Sequence, residues 1–344
     1  MFIYFENPFI DENQYLIIYS NHSIRRARIQ SLNRITNNVF DLFETIITVE
    51  REVQDFDFDI NRNLFIWLQK QDLANSLILM TQFGNNFHIH KKQLNTSELV
   101  NVKSLSYDWI HQLLYITFKD SIQILDINNP SKLYPIIVNK RVDQIIVNPI
   151  DSFILFIDMS FGATINITII KANADGSEEI VLDKYKNRHN LSMGRKTLTI
   201  DYKMKRLLLI IDDDLISMDY FGRYKAIYKL FYHRINWMNP FNGDIYYLIE
   251  YAPKSIFRTH LDKTLITSED IYSNDIEILG LKIFHSSRQP NGPNKCLNNK
   301  CQTLCVPRNT TYYSCICQRN DTNEKTYDEC EYSVSISFYS IEIK

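Results

Sequence analysis

All six cysteines of this 344-residue chain lie between positions 296 and 330: Cys296, Cys301, Cys305, Cys315, Cys317 and Cys330. Their spacing is C-x4-C-x3-C-x9-C-x-C-x12-C. A stretch that short cannot bury enough apolar surface to hold a fold. Cysteine crowding is how such pieces are held in an oxidising compartment. Six cysteines permit many pairings, so spacing alone leaves the connectivity open.

Upstream, short apolar runs alternate with polar turns. Six runs stand out, centred on Ile17, Phe65, Tyr115, Leu155, Leu208 and Tyr246, with steps of 38 to 53 residues. Most are preceded and followed by further strand-like segments, such as Leu105–Gln112 before Leu113–Thr117 and Ile122–Leu125 after it. Asp175-Gly176 and Asn242-Gly243 supply hairpin turns. No helical period appears. A loose repeat of this length fits four-stranded blades, so the expectation is an all-β chain built as a six-bladed propeller. The first run lacks a preceding strand, and the apolar stretch 276–284 lacks a following blade. Together, 276–284 and 14–50 are expected to form one blade that closes the ring without an open edge.

Composition supports this class. The 21 Tyr and 20 Phe against 8 Gly favour strands, and the 45% hydrophobic content supports a sizeable core. Charge is nearly balanced, 38 basic to 40 acidic residues, so nothing points to nucleic acid. No run of about 18 uninterrupted apolar residues spans a membrane. The start, Met1 to Pro8, lacks the basic region and cleavage site of a signal peptide. Against the cysteine-rich end, that leads to the expectation of a fragment of a larger, membrane-anchored ectodomain. Six N-x-S/T sequons, at Asn21, Asn95, Asn166, Asn190, Asn309 and Asn320, are candidate glycosylation sites.

The cysteine pattern resembles an EGF-like module. That resemblance implies the pairs Cys296–Cys305, Cys301–Cys315 and Cys317–Cys330. The lead-in Phe284-His285-Ser286-Ser287-Arg288-Gln289-Pro290 resembles the junction between propeller and EGF-like module in the low-density lipoprotein receptor family. Asp108-Trp109-Ile110 with Leu114-Tyr115-Ile116-Thr117, and Ile154–Asp158, resemble degenerate copies of that family's YWTD repeat. The implied layout is a lead-in at 1–13, a YWTD-type propeller at 14–285, a linker and EGF-like module at 286–330, and a tail at 331–344. Phe284, His285, Arg288, Gln289 and Pro290 would dock the module onto the propeller. The repeat's terminal Asp survives at Asp158 and, with a one-residue shift, at Asp212. If such residues tie neighbouring blades, most ties are missing and apolar packing must substitute.

Chemical motifs are sparse. Asp212-Asp213-Asp214 reads as a solvated turn rather than a cation site, which needs six or so oxygens. His88 and His90 lack metal-ligand spacing. Asp57 and Asp59 have no partner base and read as turn residues. No nucleophile elbow or phosphate loop is present, and no carboxylate lies in Asn291–Lys295 to make a calcium-binding EGF-like module. No metal or cofactor is expected. In an antiparallel blade, the start of the innermost strand and the turn after the second strand share one face. That face would carry Arg51, Glu52, Gln69, Lys119, Arg141, Arg195 and Arg234, a set suited to acidic or polar protein ligands. The expected function is extracellular receptor-type protein binding, or control of ligand release in endocytosis. The alternatives are a matrix adhesion component and, in another class, a calcium-dependent hydrolase on the same fold.

Overall fold

The computed structural model describes residues 14–32, 42–71, 76–82, 92–94, 99–161, 165–187, 197–211, 214–229, 235–250, 252–261, 269–273 and 277–316. Strands form where the apolar runs are cut by Asn, Asp and Gly turns.

Blade I contains β1 (Tyr15–Tyr19), β2 (Ser23–Arg28) and β3 (Glu44–Thr48), with a single helical turn, α1 (Ile29–Leu32), after β2. Blade II follows with β4 (Val53–Asp59), β5 (Leu64–Lys70), β6 (Ser76–Gln82) and β7 (Lys92–Leu94). Blade III has β8 (Ser104–Asp108), β9 (Leu113–Thr117), β10 (Ser121–Asp126) and β11 (Leu133–Val138). Blade IV has β12 (Val142–Asn148), β13 (Phe153–Phe161), β14 (Ile165–Asn173) and β15 (Ile180–Asn187). Blade V has β16 (Leu198–Asp201), β17 (Arg206–Ile211), β18 (Asp214–Asp219) and β19 (Ala226–Lys229). Blade VI has β20 (Ile235–Phe241), β21 (Asp244–Ile249), β22 (Ala252–His260) and β23 (Glu269–Ser273). The last propeller strand, β24 (Gly280–Phe284), pairs antiparallel with β1, Tyr15 opposite Phe284 and Tyr19 opposite Gly280. It is the innermost strand of blade I, so the two ends of the ring share one sheet, as the unmatched segments required.

The continuous apolar runs have a physical reason. Each second strand is buried on both sides, so both sets of alternating side chains are apolar. Leu114 and Ile116 of β9 pack toward blade II, whereas Leu113 and Tyr115 pack toward blade IV. Leu207 and Leu209 of β17 face blade IV, and Leu208 and Ile210 face blade VI. The core is a set of apolar wedges between successive blades. At the closing seam, a Cβ on Gly280 would lie 2.2 Å from Tyr19 Cε1 and 2.7 Å from Trp237 Cε2, so only glycine lets the aromatics of blades I and VI approach.

Polar ties between blades are present, contrary to the expectation that apolar packing substitutes for them. They come from the innermost strands instead of the repeat's terminal Asp. Asp55 Oδ2 accepts from Leu105 N at 2.8 Å and from Ser104 Oγ at 3.2 Å, joining blades II and III. Asp57 Oδ2 accepts from Tyr107 N at 2.9 Å. Ser106 Oγ accepts from Val147 N at 3.1 Å, and Gln144 bonds both the amide and the carbonyl of Leu198. Innermost strands have one edge without a sheet partner, so their outward amides need side-chain acceptors.

After β24, a 3-10 turn (Ser286–Arg288) leads through an extended linker to β25 (Leu304–Pro307) and β26 (Tyr313–Ile316), a two-stranded ribbon. Disulfides Cys296–Cys305 and Cys301–Cys315 bracket it. These are the first–third and second–fourth pairs that the EGF-like resemblance implies. Cys317 and Cys330 lie outside the described residues, as do the lead-in at 1–13 and the tail at 331–344.

Candidate functional site

Six innermost strands surround a central channel of ≈ 90 Å³. The face where these strands begin is the upper face, and the face where they end is the lower face. Asp57 is the one carboxylate among the described residues lining the channel, and Lys282 Nζ sits 2.7 Å from its Oδ1.

The lower face is built from one repeated turn. Asp59, Asp108, Asn148 and Asp201 end their innermost strands, and each turns its side-chain oxygen back to amides two or three residues on. These are Asx turns, which short polar side chains favour over regular ladders. Each turn closes on a left-handed residue: Asn63, Gln112, Ser152 and Lys205, with φ of 50°, 64°, 52° and 49°. Blade VI uses Asn242-Gly243, with φ of 53° and 90°, the type I′ signature. Asp59 is a turn residue, as expected, whereas Asp57 lies within β4 and ties blade II to Tyr107 N and Lys282 instead of forming a turn. Burial is the largest influence on Asp59 and pushes its carboxyl up, against the lowering effect of Arg62.

The linker runs across this lower face. Gln289 accepts from Ile60 N at 2.8 Å and donates to Phe58 O, stitching the linker to blade II. Arg288 donates to Ile200 O of blade V at 2.8 Å, with its guanidinium over the Tyr202 ring. Trp109 Nε1 donates to Pro290 O at 3.2 Å. His285 meets Phe241 edge-on and accepts from Ser287 N. Phe284 stacks on Phe65 and packs against Phe58, so it belongs to the propeller core rather than to the docking contact.

The module itself seats on blades III and IV through residues that the sequence reading missed. Lys295, 5% exposed, donates from Nζ to Pro149 O and Ile150 O at 3.1 and 2.8 Å. Burial pulls this amine below its ordinary value. Lys295 N donates to His111 Nε2 at 3.1 Å, which leaves Nδ1 as the protonated nitrogen donating to Asp108 Oδ2 at 2.7 Å. Ser314 Oγ donates to Asp175 Oδ2, and Arg308 lies 3.6 Å from Glu178. Leu304, Val306 and Ile316 join the apolar wedge between blades III and IV. A Cβ on Gly292 would meet Ile110 and Ile150 at 2.8 and 3.0 Å, so the linker lies directly on these lower turns.

The upper face holds the basic set named from the sequence, where described. Arg51 is exposed and donates to Gln71 O, and Glu52 lies 4.0 Å from Lys70. Lys119 and Arg141 are exposed at the β9–β10 turn and just before β12. Gln69 is buried, its Oε1 accepting from Trp67 Nε1, so it supports β5 from within. Arg195 and Arg234 lie outside the described residues, as do His88, His90, Asp212 and Asp213. Of the sequons, Asn21 sits exposed in the β1–β2 turn and Asn166 exposed on β14. Asn309 is half-buried, its Oδ1 accepting from Thr311 N and Tyr312 N. Asn95, Asn190 and Asn320 are outside the described residues. Among the described residues, no cluster of three His, Cys, Asp or Glu suits a metal ion, and no helix is long and apolar enough to cross a membrane.

With this geometry in place, comparison with solved structures is decisive for the fold. A chain of a nidogen/laminin complex superposes with a TM-score of 0.61 at 13% identity, over 79% of this chain and 99% of that one. The fold is a six-bladed β-propeller. Kuenenia stuttgartiensis hydrazine synthase also superposes, with a TM-score of 0.51 at 9% identity, over 70% of this chain and 71% of that one. A chain of a synthase and a chain of a nidogen/laminin complex thus share this architecture, so the fold alone does not choose between catalysis and recognition. No protein-family model and no curated protein sequence matches the chain.

Proposed function

We propose that this chain is an extracellular, non-enzymatic protein-binding module that engages its partner through the upper face of the propeller. The observation that carries the reading is the asymmetry of the two faces. The linker and EGF-like module cover lower turns of blades II to V, whereas the upper face presents Arg51, Lys119 and Arg141 at strand starts and turns. Exposed Arg and Lys at these positions suit acidic or polar protein surfaces. Two disulfides support an oxidising compartment. Against the hydrolase alternative, the channel's one described carboxylate is spent on Lys282 and on Tyr107 N. Occupied sequons at Asn21 and Asn166 would agree with this setting.

The finer role we assign is that of a receptor-type ectodomain, taking up or releasing protein ligands as part of a larger membrane-anchored chain. The likeness to a chain solved in a nidogen/laminin complex favours a second reading, a matrix adhesion component. Laminin is therefore the first probe, followed by a panel of secreted and matrix ectodomains, tested by surface plasmon resonance. Arg51→Glu with Arg141→Glu should weaken capture at least tenfold, chiefly through slower association. Lys203→Glu with Lys205→Glu, two exposed lower-face lysines, should leave it unchanged. The reverse pattern, or capture by the chain only through its EGF-like end, removes the upper face from the function.

A further inference from the structure

We propose that the central channel is a binding site for a small oxyanion, a carboxylate, phosphate or sulfate, with the linker residue Arg288 as its principal ligand. The argument is one of charge. Arg288 projects from the linker into the channel lining, where Nη1 donates to Ile200 O at 2.8 Å and the guanidinium lies 5.4 Å over the Tyr202 ring. That uses one of five N–H donors. Among the described residues, no carboxylate forms an ion pair with it.

The two nearby carboxylates are committed elsewhere. Asp57 holds Lys282 at 2.7 Å with Oδ1 and accepts from Tyr107 N with Oδ2. Asp201 holds Arg206 Nε at 3.2 Å with Oδ2 and accepts from Met204 N with Oδ1. Each of these acids has a closer base, and Arg288, half-buried in the channel lining, is left without a carboxylate ion pair among the described residues. Burial pulls its proton affinity down from the ordinary guanidinium value, only partly offset by Tyr202 and Asp201. A half-buried charge gains from an anionic partner, and the channel leaves room for one from solution.

A second residue points the same way. Asn239 is 8% exposed and lines the same channel, yet its Oδ1 position has no hydrogen-bond partner. A half-turn of the primary amide puts its NH2 at this position, where it can donate to an anion. The remaining guanidinium edge matches the two oxygens of a carboxylate or phosphate, the bidentate geometry that favours Arg over Lys. The volume of ≈ 90 Å³ admits a small anion with a few waters. The inference stands apart from upper-face binding, because it concerns the channel interior and the linker.

The test titrates the intact, disulfide-bonded chain with acetate, phosphate and sulfate at constant ionic strength. Tryptophan fluorescence and Tm are the readouts, since Trp109 and Trp237 both line the channel. The wild type should respond saturably, with half-saturation on the order of 1 mM, the range of a single solvated ion pair with added hydrogen bonds. Arg288→Gln, whose amide can still donate to Ile200 O, should lose the saturable phase. Asn239→Asp, which supplies an internal carboxylate, should abolish the response while raising Tm. A wild type without saturation, or an Asn239→Asp variant that responds like the wild type, overturns the proposal even if Arg288→Gln fails to fold.

Discussion

Asp55→Ala tests whether polar ties hold the blades together. Asp55 is 1% exposed and sits on the innermost strand of blade II. Its Oδ2 accepts the Leu105 amide at 2.8 Å and the Ser104 hydroxyl at 3.2 Å across the seam, and its Oδ1 accepts Phe56 N at 2.9 Å. Truncation removes the acceptor from these buried donors. Hydrogen bonds to charged groups contribute about 1.5–3 kcal/mol, and abandoning a buried donor costs about 1–3 kcal/mol. These overlap, so a net loss of about 3 kcal/mol is expected. For a chain of this size, each kcal/mol moves Tm by roughly 1.5 °C, which gives a drop of about 4–5 °C. Differential scanning calorimetry on the disulfide-intact chain measures it. The control is Asp214→Ala, which breaks a pair with Lys229, whose side chain is 80% exposed. Such surface pairs contribute about 0–1 kcal/mol, so Tm should move by no more than about 2 °C. If Asp55→Ala changes Tm no more than this control, the blades are held by apolar packing alone and the tie is incidental.

Three other perturbations probe the junction. Lys295→Met keeps the aliphatic stem but leaves Pro149 O and Ile150 O without that donor; it should cost about 1–3 kcal/mol and speed proteolysis between Pro290 and Cys296, and an unchanged digestion rate would remove Lys295 from the dock. His285 is pushed below the ordinary imidazole value by burial, and its Nδ1 accepts from Ser287 N, so the neutral ring is the folded form. Its contribution is therefore complete above the unfolded value near 6.5 and declines as pH falls through that value toward the lower folded one; an NMR titration placing His285 at or above 6.5 contradicts this. Peptide mapping without reduction should find Cys317 joined to Cys330, the pair the EGF-like pattern leaves over; Cys317 joined elsewhere refutes the module's identity.

Much of the architecture was legible because it rests on period and count. Apolar runs buried on both sides, such as Leu113–Thr117 and Leu207–Ile211, announce the second strand of each blade. The unmatched stretches at either end could only complete each other. Seam chemistry was not legible. Asp55, Ser106 and Gln144 are different residue types at positions without a shared motif, and their partners are some 40–55 residues away. The repeat's terminal Asp, kept only at Asp158 and Asp212, led to the expectation that most ties are missing. Likewise Arg288 and Gln289 stood out within the junction phrase, whereas Lys295, His111 and Asp175 carry no local signal of docking. Arg288 was read as a docking residue, and its second role in the channel emerges only once Asp57 and Asp201 are seen to be spent on other bases.

Covalent lysine labelling of the chain, alone and with a bound protein partner, locates the recognition surface in one experiment. Lys119 marks the upper face, Lys203 and Lys205 the lower turns, and Lys300 the EGF-like module. Protection of Lys119 on binding, with Lys203, Lys205 and Lys300 labelled as before, is the expected result. Protection of Lys203, Lys205 or Lys300 with Lys119 unaffected would place the partner on the lower face or on the module and reverse the assignment.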